Sequence, residues 1–195
     1  MLNEAFNDNG TLRSTIWSDT IGPAYIPIVF AAAAAATPAK LYYNDYNVEN
    51  PNNKTAAVQA MIKDLKARNI RIDGMGLQAH LIVGSAPSQA QQEANIANFA
   101  ALGVEVAYTE LDIRTNVPPS EAVQRQQKAD YKATAAACKK NKACVGITLW
   151  DFLDDYSWIP GVFAGQGYGT PWLKDAAGKL VRKIAYDGIA EGLSE

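Results

Sequence analysis

The chain has 195 residues, 48% of them apolar and 19% charged, the composition of an ordinary folded domain and not of a disordered one. Eighteen basic against twenty acidic side chains give a net charge of −2, which leaves no basic footprint for nucleic acid. One histidine and two cysteines exclude most metal centres, which need three or four such ligands, and no Gly-rich phosphate loop occurs, so neither a metal nor a cofactor is implied.

The chain opens on Met1-Leu2-Asn3-Glu4, which reads as the end of a strand, with no basic, apolar leader of the signal-peptide kind. Ile21 to Ala36 is the most apolar stretch, but at about 16 residues, with Pro23 and Pro27 inside it, it is too short to cross a bilayer and reads as a buried helix. Four short runs rich in β-branched, aromatic or aliphatic residues follow as strands: 39–43, 72–77, 104–108 and 144–150. Helical patterns lie between and after them. In 55–68, Val58, Met61, Ile62 and Leu65 mark one buried face; 88–102 starts at a Ser cap and stops at Gly103. Residues 119–140 start with Pro in the first turn, and 179–193 reads as a closing helix. Cys138 and Cys144 stand six residues apart, either as a local disulfide or as two free thiols. Trp17 and Trp172 read as packing residues.

Strands alternating with helices at a period of roughly 30 to 40 residues are the pattern of βα units in a parallel sheet, and match the repeat of a (β/α)8 TIM barrel. Only four full units and a leading fragment are present. The expectation is therefore an α/β fold that is a partial barrel, a single domain over 1–195, beginning at the end of the fourth strand. In such barrels the chemistry sits at the C-terminal ends of the strands. Those ends offer Asn3 and Glu4, then Asn44 to Asn47, Gln78 and His80, Glu110 and Asp112, and Trp150, Asp151 and Asp154. Glu4 and Glu110 each close an apolar run. Taken alone they read as surface carboxylates; as an inward pair they are what glycoside hydrolysis needs, an acid whose pKa is raised and a second carboxylate.

The words around them decide between these readings. Leu2-Asn3-Glu4-Ala5-Phe6, Tyr43-Asn44-Asp45-Tyr46-Asn47, Gly76-Leu77-Gln78-Ala79-His80-Leu81, Thr109-Glu110-Leu111-Asp112, Gly146-Ile147-Thr148-Leu149-Trp150 and Asp154-Asp155-Tyr156-Ser157-Trp158 come in this order. The series resembles glycoside hydrolase family 10, the retaining endo-β-1,4-xylanases built on a (β/α)8 barrel. The resemblance implies Glu4 as acid/base, Glu110 as nucleophile, and Asn3 as the amide that holds the sugar 2-hydroxyl. It places His80 beside the nucleophile with Asp112 as its carboxylate partner, Gln78 near the acid/base, and Trp150 and Trp158 as aromatic walls. Tyr46 and Asn47 fall on the leaving-group side. The family's habit of tying the seventh helix to the eighth strand favours a Cys138–Cys144 bridge. Asp151 stands where the family usually carries Gly.

The substrate so implied is xylan or a xylo-oligosaccharide, and the location extracellular; a non-catalytic carbohydrate-binding barrel is the alternative. Because the family's first three strands and most of the fourth have no counterpart here, the edges at residues 1–4 and 144–151 are expected to be open. Such edges invite self-association, and Glu4, near an untied terminus, would support weak activity or none.

Overall fold

A computed structural model describes residues 2–195; Met1, with which the expected leading strand begins, lies outside the described residues. The strands are β1 (Leu2–Asn3), β2 (Tyr42–Asp45), β3 (Gly74–Leu77), β4 (His80–Ile82), β5 (Glu105–Asn116) and β6 (Cys144–Leu149). β1, β2, β3, β5 and β6 lie side by side in that order, all parallel. β4 continues the line of β3 and pairs the second half of β5. The helices α1 (Ile16–Ile21), α2 (Tyr25–Ala36), α3 (Asn53–Ala67), α4 (Gln89–Ala100) and α5 (Glu121–Lys140) fill the connections. After β6 come α6 (Ile159–Val162), β7 (Gln166–Gly167), the hairpin of β8 (Trp172–Lys174) with β9 (Leu180–Arg182), and α7 (Ile184–Ser194).

β2, β3 and β5 supply most of the sheet side of the core. Tyr43, Met75, Leu77, Val106, Tyr108 and Leu111 are buried with Val58, Ile62 and Leu65 of α3, Ile96 and Phe99 of α4, and Tyr131 of α5. Each fully buried tyrosine has a partner for its hydroxyl, as burial of a polar group requires: Tyr43 donates to Asp45, Tyr108 to Gln92 Oε1 at 2.6 Å, and Tyr131 to Gly169 O at 2.5 Å. The architecture is the expected α/β partial barrel. Among the described residues β1 and β6 each pair on one side only, so the two expected edges are open.

Several boundaries move, for local reasons. β2 begins at Tyr42 and not at Ala39, since the Leu41 N–H is taken by the Asp73 carboxylate at 2.7 Å. β5 runs on to Asn116 because β4, then antiparallel β7, pair its second half. Helix α5 starts at Glu121, after the Ser120 cap, leaving Pro119 outside it. The closing helix starts at Ile184; Leu180 belongs to β9, which a turn at Asp175–Gly178 folds back onto β8. The alanine-rich segment is less buried than its composition suggests. With α1 and a 3-10 turn it makes a 21-residue helical stretch, Ile16–Ala36, long and apolar enough by length and composition to cross a membrane. Only Tyr25, Ile26, Pro27 and Phe30 of α2 are buried, and Tyr25, Ile26 and Phe30 join the same core as β2. Trp17 is 62% exposed and packs no core, whereas Trp172 meets Tyr186 edge-on at 5.7 Å.

Candidate active site

The site begins with an irregularity in β5. Leu77 pairs Tyr108 and His80 pairs Asp112, so four residues of β5 answer three of the neighbouring chain; the ladder to β6 slips over the same interval. Such a bulge re-aims side chains. Here it brings two consecutive residues, Thr109 and Glu110, to one partner: Thr109 Oγ1 donates to Asn44 Oδ1 at 2.6 Å, and Asn44 Nδ2 donates to Glu110 Oε1 at 2.7 Å. The other Glu110 oxygen faces His80 Nε2 at 3.2 Å. His80 Nδ1 lies 3.1 Å from Asp112 Oδ2, which also accepts the Trp158 indole N–H at 2.7 Å. Burial lowers the His80 pKa, but Asp112 and Glu110 outweigh it and hold it above 6.5.

Glu4 reaches the same cleft from the sheet edge. Its N–H donates to Asn44 O at 2.9 Å, Gln78 Nε2 donates to Oε1 at 3.1 Å, and Arg13 Nη1 donates to Oε2 at 2.5 Å. Glu4 is thus tied down, although it lies three residues from the first position. Amides connect it to Glu110: Gln78 Nε2 also reaches Asn3 Oδ1 at 3.2 Å, which accepts Asn44 Nδ2 at 2.9 Å. Burial pushes the Glu4 pKa up, yet Gln78 and Arg13 together hold it below the usual carboxylate value. That is opposite to the raised value expected of a general acid, and Arg13 is the charge responsible.

The cleft holds about 640 Å³ and is lined by Glu4, Arg13, Tyr46, Asn47, Gln78, His80, Glu110, Arg114, Trp150, Trp158, Val162 and Phe163. His80 makes edge contacts with Trp158 at 4.7 Å and Trp150 at 6.3 Å. The Tyr46 ring lies over Lys54 Nζ at 3.4 Å, and that fully buried ammonium pairs with buried Asp45 at 2.7 Å. Asn47 (φ 55°) reaches Asp8 at 3.3 Å. Asp151 adopts φ 66°, a left-handed step that glycine takes freely and that Asp tolerates better than most residues.

Every residue singled out in the sequence for catalysis or sugar contact is therefore gathered at one end of the sheet, Asn3 through the amide chain. Cys138 and Cys144 form a disulfide from the end of α5 to the start of β6. Asn44 and Thr109 stand in the strand-end words without a role, and nothing in the sequence marks Arg13, Arg114 or Phe163. No spacing rule signals Arg13, which a loop returns to Glu4; its N–H donates to Ala5 O at 2.8 Å.

The profile of glycosyl hydrolase family 10 matches residues 1–192. The chain belongs to that family. Family 10 relatives include endo-1,4-beta-xylanase D of Talaromyces funiculosus, 54% identical over 194 residues, covering 99% of this chain and 47% of the relative. Endo-1,4-beta-xylanase A of Phanerodontia chrysosporium is 47% identical over 98% of the chain and 46% of its own length. The crystal structure of a family 10 xylanase from Bispora sp. MEY-1 with xylobiose superposes with a TM-score of 0.94 at 48% identity, over 98% of this chain and 60% of that one. The chain thus spans about half the length of the curated relatives it matches.

Proposed function

We propose that the chain acts on xylan by the retaining mechanism of family 10, as an extracellular endo-1,4-β-xylanase unit over residues 1–195. The observation that carries this reading is the amide chain Gln78–Asn3–Asn44, which ties Glu4 and Glu110 into one cleft. Retention needs the two carboxyl groups about 5 to 5.5 Å apart across the bond that breaks, and three amides joined by hydrogen bonds link the two carboxylates around one cleft. Glu110, held by Asn44 and His80, attacks the anomeric carbon. The bond from that carbon to the leaving oxygen breaks, and the oxygen takes the proton of Glu4. Water, deprotonated by Glu4, then attacks the same carbon and frees Glu110. Trp150 and Trp158 would stack on the apolar faces of the sugar, with Tyr46 and Asn47 on the leaving-group side. Gln78 and Arg13 both favour the ionised form of Glu4 against burial, so a sugar that displaces the Arg13 guanidinium would help Glu4 hold its proton. The disulfide supports an oxidising, extracellular location.

The lowered pKa of Glu4, held down by Gln78 and Arg13, favours a second reading, a cleft that binds xylo-oligosaccharide with silent carboxylates. One experiment separates the two. An activated 2-deoxy-2-fluoro-β-xylobioside should leave one glycosyl group on the peptide carrying Glu110, and none on Glu110→Gln. Binding of xylohexaose by calorimetry with no such adduct would establish the second reading.

A further inference from the structure

Glu49 is a buried carboxylate to which the reaction gives no task. It lies between β2 and α3, 4% exposed. Its Oε1 accepts the N–H of Ala79 at 2.8 Å. Ala79 is the residue between Gln78 and His80, fully buried, with φ at 61°. A non-glycine residue persists in this left-handed region only where its surroundings over-determine it. Its neighbours are well anchored to strands: Gln78 N–H to Asp45 O at 3.0 Å, Glu110 N–H to Gln78 O at 3.1 Å, and Asp112 N–H to Ala79 O at 3.3 Å. The Ala79 N–H is the exception, because its partner is a side chain. That side chain arrives from another loop, and it meets the short link from which the partners of both carboxylates project.

We propose that Glu49 is a positioning residue, whose carboxylate pins the left-handed step at Ala79 and thereby holds Gln78 against Glu4 and His80 between Glu110 and Asp112. Only the relevance to catalysis rests on the functional reading above; the pinning itself is a matter of geometry. The titratable groups around this link are few. Glu110 and Asp112 of β5 face His80, while Glu49 faces His80 from its own loop and Tyr108 from across the core. Asp8 and Arg114 line the pocket into which Glu49 and His80 open.

The chain holds a single histidine, so one imidazole resonance reports on the site whether or not the chain turns over substrate. His80 is titrated by NMR in the wild type, Glu49→Gln and Glu49→Leu. Glutamine keeps an oxygen for the Ala79 N–H and loses the charge; leucine loses both. Pinning predicts that the His80 pKa stays within about 0.3 unit in Glu49→Gln and falls by about one unit in Glu49→Leu, toward that of a free imidazole. An equal fall in both variants would make Glu49 only a nearby charge, and no fall in either would leave it without a positioning role. Each result overturns the proposal. Should Glu49→Leu fail to fold, the Ala79 amide proton decides. It should move with the titration of a carboxyl in the wild type and lose that movement in Glu49→Gln, and an amide insensitive to pH overturns the proposal. Fluoro-xylobioside trapping, run alongside, reports on the catalytic reading alone. Absent trapping with the expected His80 shifts would sink that reading and leave the pinning standing.

Discussion

β5 and β6 are paired neighbours in opposite situations. β5 pairs on both sides and buries Val106, Tyr108, Leu111 and Ile113 completely or nearly so. β6 pairs on one side only, and Val145 in it and Trp150 beyond it are 55% and 42% exposed. An apolar strand does not bury itself; burial comes from whatever is packed on each side of it. The site straddles the divide, with Glu110 on the enclosed strand and Trp150 at the end of the open one. Flanking devices do for the β6 side what sheet pairing does for β5. The disulfide ties β6 to α5, and the turn beyond it is held by Lys183, whose Nζ reaches Asp154 at 2.6 Å and Tyr168 O at 3.0 Å.

This contrast can be tested in descending order of effect. The Lys183 side chain is 1% exposed and burial lowers its pKa to about 8 despite Asp154. Lys183→Met should cost about 3 to 5 kcal/mol in urea unfolding, because it leaves the Asp154 carboxylate without its cation, with Thr170 alone donating to the other oxygen; a loss under about 1 kcal/mol would mean the open side does not depend on the pair. Leu111→Ala on β5 should cost about 2 to 5 kcal/mol, against roughly 0.5 or less for Val145→Ala on β6. Equal costs would show that β6 is covered in solution, and sedimentation across a concentration series would then tell whether a second copy of the chain covers it.

Replacing Cys138 and Cys144 by serine closes no loop in the unfolded chain. For a separation of six residues the loss should be about 2 kcal/mol by the same unfolding curve. The smallest effect concerns Glu4 on the other edge. Its folded pKa lies below 4.5, so its contribution to stability is present above 4.5 and is lost as pH falls through the lower, folded value. Arg13→Met should raise that pKa. The stability gap between variant and wild type should be open at neutral pH and close as pH drops below 4.5. A gap that persists in acid would mean that Arg13 acts by packing alone.

Much of this was legible in the residues themselves. Periodicity located the helices around Val58–Leu65 and Ile96–Phe99, and the strand-end words located both carboxylates, His80 and the tryptophans. The bulge at Thr109–Glu110 was not legible, because alternation in a strand assumes a fixed register and gives no sign of where one residue slips out. Arg13 was missed for a related reason: the loop that returns it to Glu4 is set by hydrogen bonds of Asn7, Asn9 and Thr11, which carry no period. The second strand of the closing hairpin reads as the start of a helix since Leu180, Ile184 and Ile189 mimic helical spacing, while the turn at Gly178 (φ 77°) decides against it.

Asn3 shows what saturation of one atom does to recognition. Its amide oxygen already receives two N–H groups, from Asn44 and Gln78, and its nitrogen leans on Glu4. Such an amide has spent its basic end, so toward a visitor it can only give protons, never receive them. On the proposed function, a sugar oxygen at that spot would meet a donor and not an acceptor, a preference written by two neighbouring amides.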